Sequence, residues 1–123
     1  MMPRAAKEFG MYIAMNRFKV RPEEQEAFKS RWLDREVYLK TVPGFVAFHL
    51  LKGLERDDHV LYASHTIWRS HAAFEAWTRS EPFRAAHAGA GSGRSLTLTH
   101  PEFEGFEVLQ EITADGEPVG VHP

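Results

Sequence analysis

Over residues 11–20 the chain is rich in strand formers, with Tyr12, Ile13, Phe18 and Val20 among them. Met11, Ile13 and Met15 alternate with Tyr12, Ala14, Asn16 and Phe18. A period of two with apolar residues in both sets predicts a first strand that is covered on both faces. Arg21-Pro22 ends it, and Pro22 with Glu23 and Glu24 opens a helix. Proline is tolerated in a first helical turn, and carboxylates there suit the positive end of the helix dipole. The helix is predicted to run to about Lys40, with Phe28, Trp32 and Leu39 on one stripe.

Pro43-Gly44 is a turn signal. A second strand is expected over residues 45–52, a polar loop of hairpin length over 53–58 and a third strand over 60–68. Ser70 is placed to cap a second helix that carries Ala73, Phe74 and Trp77. Ser80-Glu81-Pro82 then reads as a fresh helix start, with Phe83 and His87 one turn apart. The Gly-rich stretch Gly89-Ala90-Gly91-Ser92-Gly93 ends that piece, and a fourth strand is expected over 103–112.

The order β-α-β-β-α-β, with the second helix split, predicts a ferredoxin-like α+β fold: a four-stranded antiparallel sheet with helices on one face. Helices cover one face only, so a second subunit is expected on the other, closing a barrel as a homodimer. The expected division is a flexible N-terminal extension over 1–10, one domain over 11–112 and a C-terminal tail over 113–123.

Composition narrows the function. With 123 residues there is room for one core. Fifteen Lys and Arg against 17 Asp and Glu leave no basic excess for a phosphate backbone, so nucleic acid is not the expected partner. The absence of cysteine excludes disulfides, iron–sulfur clusters and a thiol nucleophile. The first ten residues contain no apolar secretory core, and no run approaches the ~20 apolar residues of a membrane span. A soluble, cytoplasmic protein without membrane attachment is expected.

Several patterns invite chemistry. The Gly cluster has neither dinucleotide-binding nor P-loop spacing, and reads as a flexible loop or a lid. Seven histidines include no HxH, HExxH or paired i,i+4 spacing, so a non-haem metal site is not expected. There is no GxSxG elbow for a serine nucleophile. Asn16 stands mid-strand among apolar residues, where it is either solvent-facing or a hydrogen-bond donor into a pocket. Trp77 suits the core as well as a site, and His87 suits a helix end as well as a ligand role. On one straight helix Trp77 and His87 would lie ~15 Å apart and face roughly 80° away from each other. A break at Pro82 would let them converge.

Read as a unit, residues 68–87 follow the pattern W-x-S-x-x-A-F-x-x-W-x-x-S-x-x-F-x-x-A-H, carried by Trp68, Ser70, Ala73, Phe74, Trp77, Ser80, Phe83, Ala86 and His87. This resembles the IsdG-type haem-degrading monooxygenases of the antibiotic biosynthesis monooxygenase superfamily. The strand ending Ala14-Met15-Asn16-Arg17-Phe18 and the Pro43-Gly44-Phe45 turn are similar too. The resemblance covers about residues 11–110, and the superfamily's small dimeric barrel agrees with the predicted strand order. Asn, the second Trp and His together mark the haem-degrading branch; here they are Asn16, Trp77 and His87.

The resemblance implies that His87 is the proximal ligand to haem iron, with Phe83 packing on the macrocycle. Asn16 would offer its amide N–H on the distal side, and Trp77 would press on the porphyrin and ruffle it. Haem would be both cofactor and substrate, O2 the oxidant, and iron release the outcome. The chain has no flavin or iron–sulfur motif, so an external reductant, such as an electron-donating reductase, would be required. The rival readings are a cofactor-independent monooxygenase of the same superfamily acting on a polycyclic or quinol substrate, a non-catalytic haem-binding dimer, and a small dimeric α+β protein without haem.

Overall fold

In the computed structural model, residues 10–35, 39–81, 83, 95–114 and 119–120 are described. Strand β1, Tyr12–Val20, is the hub of a four-stranded sheet. Helix α1, Gln25–Arg35, follows a 3-10 turn at Pro22–Glu24. Strands β2, Phe45–Glu55, and β3, Val60–Trp68, form a hairpin, and helix α2, His71–Thr78, follows it. Strand β4, Glu102–Glu107, returns to the sheet. Short strands β5, Gln110–Glu111, and β6, Val119–Gly120, pair with each other separately. The four-stranded order is β2-β3-β1-β4, every neighbour antiparallel, which is the ferredoxin-like arrangement.

Local sequence explains the element ends. Arg21 is the last extended residue before Pro22, and Glu23 and Glu24 occupy the first turn as the dipole favours. Gly44 has φ +84°, and a Cβ there would run into the Ala73 side chain, so only glycine serves at this turn. Ser70 caps α2 as expected: its Oγ accepts from the Ala73 N–H at 3.0 Å. Ser80 repeats the device, accepting from the Phe83 N–H at 3.2 Å, and Glu81 and Phe83 have helical backbone. The restart expected at Ser80 thus begins there. Pro82, His87 and Gly89 to Gly93 lie outside the described residues.

Three boundaries differ from expectation. The first helix, expected to reach about Lys40, is described to Arg35, and Leu39 and Lys40 are turn. Strand β2 continues through Gly53, Leu54 and Glu55, so the hairpin loop is shorter than the predicted 53–58; a register shift between Lys52 and Glu55 keeps the polar end paired to Val60. The fourth strand, expected over 103–112, leaves the sheet after Glu107, and Gln110–Glu111 pairs with Val119–Gly120 instead.

The helix-side face of the sheet carries two packed clusters. One holds Tyr12, Ala14, Leu39, Val42, Trp68 and Trp77, with Phe45, Phe48, Ala73, Phe74 and Phe83 against it. The other holds Phe18, Val20, Phe28, Val60, Tyr62 and Leu96, flanked by Trp32 and Leu50. Leu96 reaches the core because its segment runs beside the end of β1, with Arg21 N–H donating to Leu96 O and Leu98 N–H to Lys19 O, each at 2.9 Å. Trp68, Tyr62, Val20 and Val60 are almost wholly buried, and aliphatic side chains so placed contribute about 1.5–3 kcal/mol each. On the opposite face lie Met11, Ile13, Met15, Leu61, Ala63, Ile67 and Phe106, with no helix over them among the described residues.

Candidate functional site

Asn16 lies between the two clusters. On β1 the set Tyr12, Ala14, Phe18 and Val20 is buried, so the period of two places Asn16 on the helix-side face, between Ala14 and Phe18. It is not the solvent-facing position that residue type alone favours. The register sets Asn16 opposite Ser64 on β3 and Phe103 on β4, and Ser64 opposite Leu50 on β2. One cross-sheet row therefore reads Leu50, Ser64, Asn16, Phe103.

Two members of that row are polar. Ser64 is only 6% exposed and Asn16 is half-buried. Among the described residues neither the Asn16 amide nor the Ser64 hydroxyl has a hydrogen-bond partner. The nearest polar links run elsewhere: Tyr62 O–H donates to Gln25 Oε1 at 2.9 Å, Trp68 Nε1–H to Thr66 Oγ1 at 3.0 Å, and Thr66 O–H to Ala14 O at 3.3 Å. A buried hydroxyl without a partner is destabilising by about 1–3 kcal/mol, which sets Ser64 apart from most buried polar groups.

Aromatic rings border the row. Phe103 stacks on Phe74 of α2 with centroids 5.7 Å apart and planes 8° from parallel. On the other flank Trp32 stacks on Phe48 at 5.6 Å and meets Phe18 edge-on at 5.7 Å. Trp77 belongs to the same cluster as Ala14, one same-face step of ~7 Å along β1 from Asn16. It is 8% exposed, lies nearly parallel to Trp68 at 6.0 Å, and takes Phe83 edge-on at 5.3 Å. Tyr12 closes the far end, where burial first and the Glu75 carboxylate second raise its phenol above the ordinary value. Its hydroxyl occupies the space a Cβ at position 105 would need, which accounts for Gly105.

The structure thus brings Asn16, Trp77 and Phe83 to the helix-side face of one sheet. His87 lies outside the described residues. Ser64 and Phe103 were not singled out from the sequence; only strand register puts them beside Asn16. Among the described residues no group of three or more His, Cys, Asp or Glu could hold a metal ion, and no helix is long and apolar enough to cross a membrane. His65 and His71, close in sequence, lie apart: His71 packs on Tyr12 at 4.6 Å, whereas His65 pairs with His49 on the open face.

Known proteins are similar in sequence and fold. The "Heme-degrading monooxygenase" of Shouchella clausii is 29% identical over 108 residues, covering 87% of this chain and 100% of that protein. The heme-degrader MhuD of Mycobacterium tuberculosis, solved with two hemes bound in its active site, is 27% identical with a TM-score of 0.67, covering 83% of this chain and 99% of that one. SnoaB of Streptomyces nogalater, a cofactor-independent oxygenase, is 25% identical with a TM-score of 0.63, covering 87% and 99%. The antibiotic biosynthesis monooxygenase family matches residues 11–89, a span that takes in β1 with Asn16, the buried Ser64, the capped helix with Trp77, and Phe83 and His87. With that match across more than half of its length, on a sheet of the same topology, the chain belongs to the antibiotic biosynthesis monooxygenase family.

Proposed function

We propose that this protein is an oxygen-dependent haem monooxygenase that binds haem on the helix-side face of its sheet, opens the macrocycle and releases iron. The observation that carries it is the Asn16–Ser64 pair, without polar partners among the described residues, in an aromatic-bordered seam beside the cluster that holds Trp77. A flat, largely apolar macrocycle with a polar centre suits such a seam. Rings pack on its faces and edges, and buried polar groups find partners near its middle. The haem-degrading relatives support the same substrate.

Each residue type has a task. The Asn16 amide N–H would donate a hydrogen bond to the bound haem's oxygen ligand, and the Ser64 hydroxyl, directly across the strand, would orient that amide or donate beside it. Trp77 would bear on the macrocycle with its indole, backed by Trp68 at 6.0 Å. Phe83 packs edge-on against Trp77 and would lie against the macrocycle. We assign the proximal imidazole to His87, a neutral nitrogen donor suited to haem iron. Haem, when bound, supplies the oxygen chemistry at its iron, with O2 as oxidant and an electron-donating reductase as the external source of electrons. The setting is the cytoplasm.

We further propose a homodimer that closes a barrel over the open face, where Met11, Ile13, Met15, Ile67 and Phe106 would otherwise meet water. Light scattering at micromolar concentration should give twice the mass of one chain; one chain's mass rejects the dimer.

A second reading is a cofactor-independent oxygenase of a polycyclic quinol, favoured by the likeness to SnoaB and by a polar pair suited to a phenolic oxygen. Haemin titration separates them. A Soret band that forms with haemin and decays on adding a reductant in air supports the haem reading. Turnover of a polycyclic quinol without haem, and no Soret band, supports the other.

A further inference from the structure

Phe103 is the one apolar side chain that β4 gives to the helix-side face. The register places three β4 residues there: Phe103 opposite Asn16, Gly105 opposite Ala14 and Glu107 opposite Tyr12. Gly105 contributes no side chain, and the Tyr12 hydroxyl fills the space above it. Strand β4 is an edge of the sheet, and Phe103 is 51% exposed there. Single exposed apolar residues are common on protein surfaces. This one differs in its neighbours. Across the strand stands Asn16, with the buried Ser64 beyond it. The Phe103 ring also stacks on Phe74 of α2 at 5.7 Å, with planes 8° apart.

Phe74 is fixed in turn by the core. Its ring meets Tyr12 at 5.3 Å and Trp68 at 6.0 Å, both members of one buried cluster. Near-parallel rings at 5.7 Å overlap only in part, because full-face contact brings carbon atoms to about 3.5–4.0 Å. The stack therefore holds Phe103 in place and leaves much of its surface free. Two aligned rings, one anchored and one reaching over the edge strand, make a flat apolar wall beside a polar centre. A planar aromatic ligand has the matching chemistry: faces that stack on rings, and polar atoms for Asn16 and Ser64. We propose that Phe103, backed by Phe74, is a ligand-binding residue, the outer wall that holds a flat macrocycle in the Asn16–Ser64 seam at the β4 edge. Its contribution is the ring surface removed from water on binding, together with the stacking itself. Half-exposed without ligand, it adds little to the core.

This inference rests on the haem reading and adds to it a residue on the edge strand. Its test measures binding rather than turnover. Haemin release to an excess of apomyoglobin is timed for the parent, Phe103→Ala, Phe103→Trp and Leu109→Ala, with thermal melts of the haem-free proteins alongside. Leu109, 67% exposed past the end of β4, is the control for loss of an exposed apolar side chain. Phe103→Ala should release haemin about tenfold faster than the parent and melt with it. Phe103→Trp, which keeps a flat ring, and Leu109→Ala should release it no faster than the parent. Release from Phe103→Ala at the parental rate, or from Leu109→Ala as fast as from Phe103→Ala, overturns the inference and leaves the haem reading standing. A haem-free Phe103→Ala protein that melts well below the parent makes Phe103 a structural residue and overturns it too. A parent that takes up no haemin overturns the haem reading, and this inference with it.

Discussion

Asn16 and Ser64 face each other across β1 and β3, both on the core side of the sheet, and neither has a polar partner among the described residues. Most buried polar side chains are satisfied within the protein, so two neighbours without partners among the described residues support the seam as the proposed haem site. Removing either one should therefore separate function from stability.

Asn16→Ala should retain haem yet slow its degradation by about 10²–10³-fold, the usual effect of losing one preorganised donor. Ser64→Ala removes an unsatisfied hydroxyl, so the haem-free protein should melt no lower than the parent while haem decay slows. Thermal melts and Soret decay on the same samples check both. A drop in the Ser64→Ala melting temperature with unchanged decay would make Ser64 a structural residue only.

Trp77 carries two loads. It is 8% exposed and stacked on Trp68 with planes 27° apart, so Trp77→Ala should destabilise the haem-free fold by about 3–5 kcal/mol. That is a large part of the about 5–15 kcal/mol available to a domain. Trp77→Phe should keep the fold and still slow haem decay, because a smaller ring exerts less pressure on the macrocycle. Urea melts paired with the decay assay separate the two effects; wild-type decay in Trp77→Phe would leave Trp77 a core residue alone.

His65 predicts a pH dependence. Its ring is held below the ordinary value of 6.5, by burial and then by His49, and the Arg17–Glu104 pair occupies the neighbouring strands. The unfolded chain takes up this proton first, so the folded state is favoured fully above pH 6.5 and loses that advantage as pH falls from 6.5 towards the folded value. Urea melts at about pH 7.5 and about pH 5.5 should show a smaller loss for His65→Gln than for the parent. Equal losses would show that the ring's environment does not couple to folding.

Much of the fold is legible in the chain because local chemistry and tertiary need coincide. Strand β3 has its predicted bounds because Asp57-Asp58 and the Ser70 cap flank a run of strand formers. Helix α1 starts where Pro22 and two glutamates say it should. The fourth strand ends at Glu107, short of the expected Ile112, and Gln110–Glu111 finds its partner in Val119–Gly120, a pairing local pattern does not encode. Asn16 was legible as an oddity among apolar neighbours, but not the face it occupies. Ser64 is an ordinary strand serine in sequence. Its meaning, like that of the His49–His65 pair, comes from cross-strand register, which joins residues 16 and 64 or 49 and 65 only once the sheet is formed.

The most direct test of haem degradation is to add haemin to the purified parent and to His87→Ala, then a reductant in air, and follow the Soret band. The parent should bind haemin, show the band and lose it after reduction. His87→Ala should shift or erase the band and abolish turnover, while His49, His59, His65, His71 and His100 replaced singly leave it nearly unchanged. A parent whose Soret band forms and does not decay, or a His87→Ala protein that binds and degrades haemin like the parent, would contradict this account.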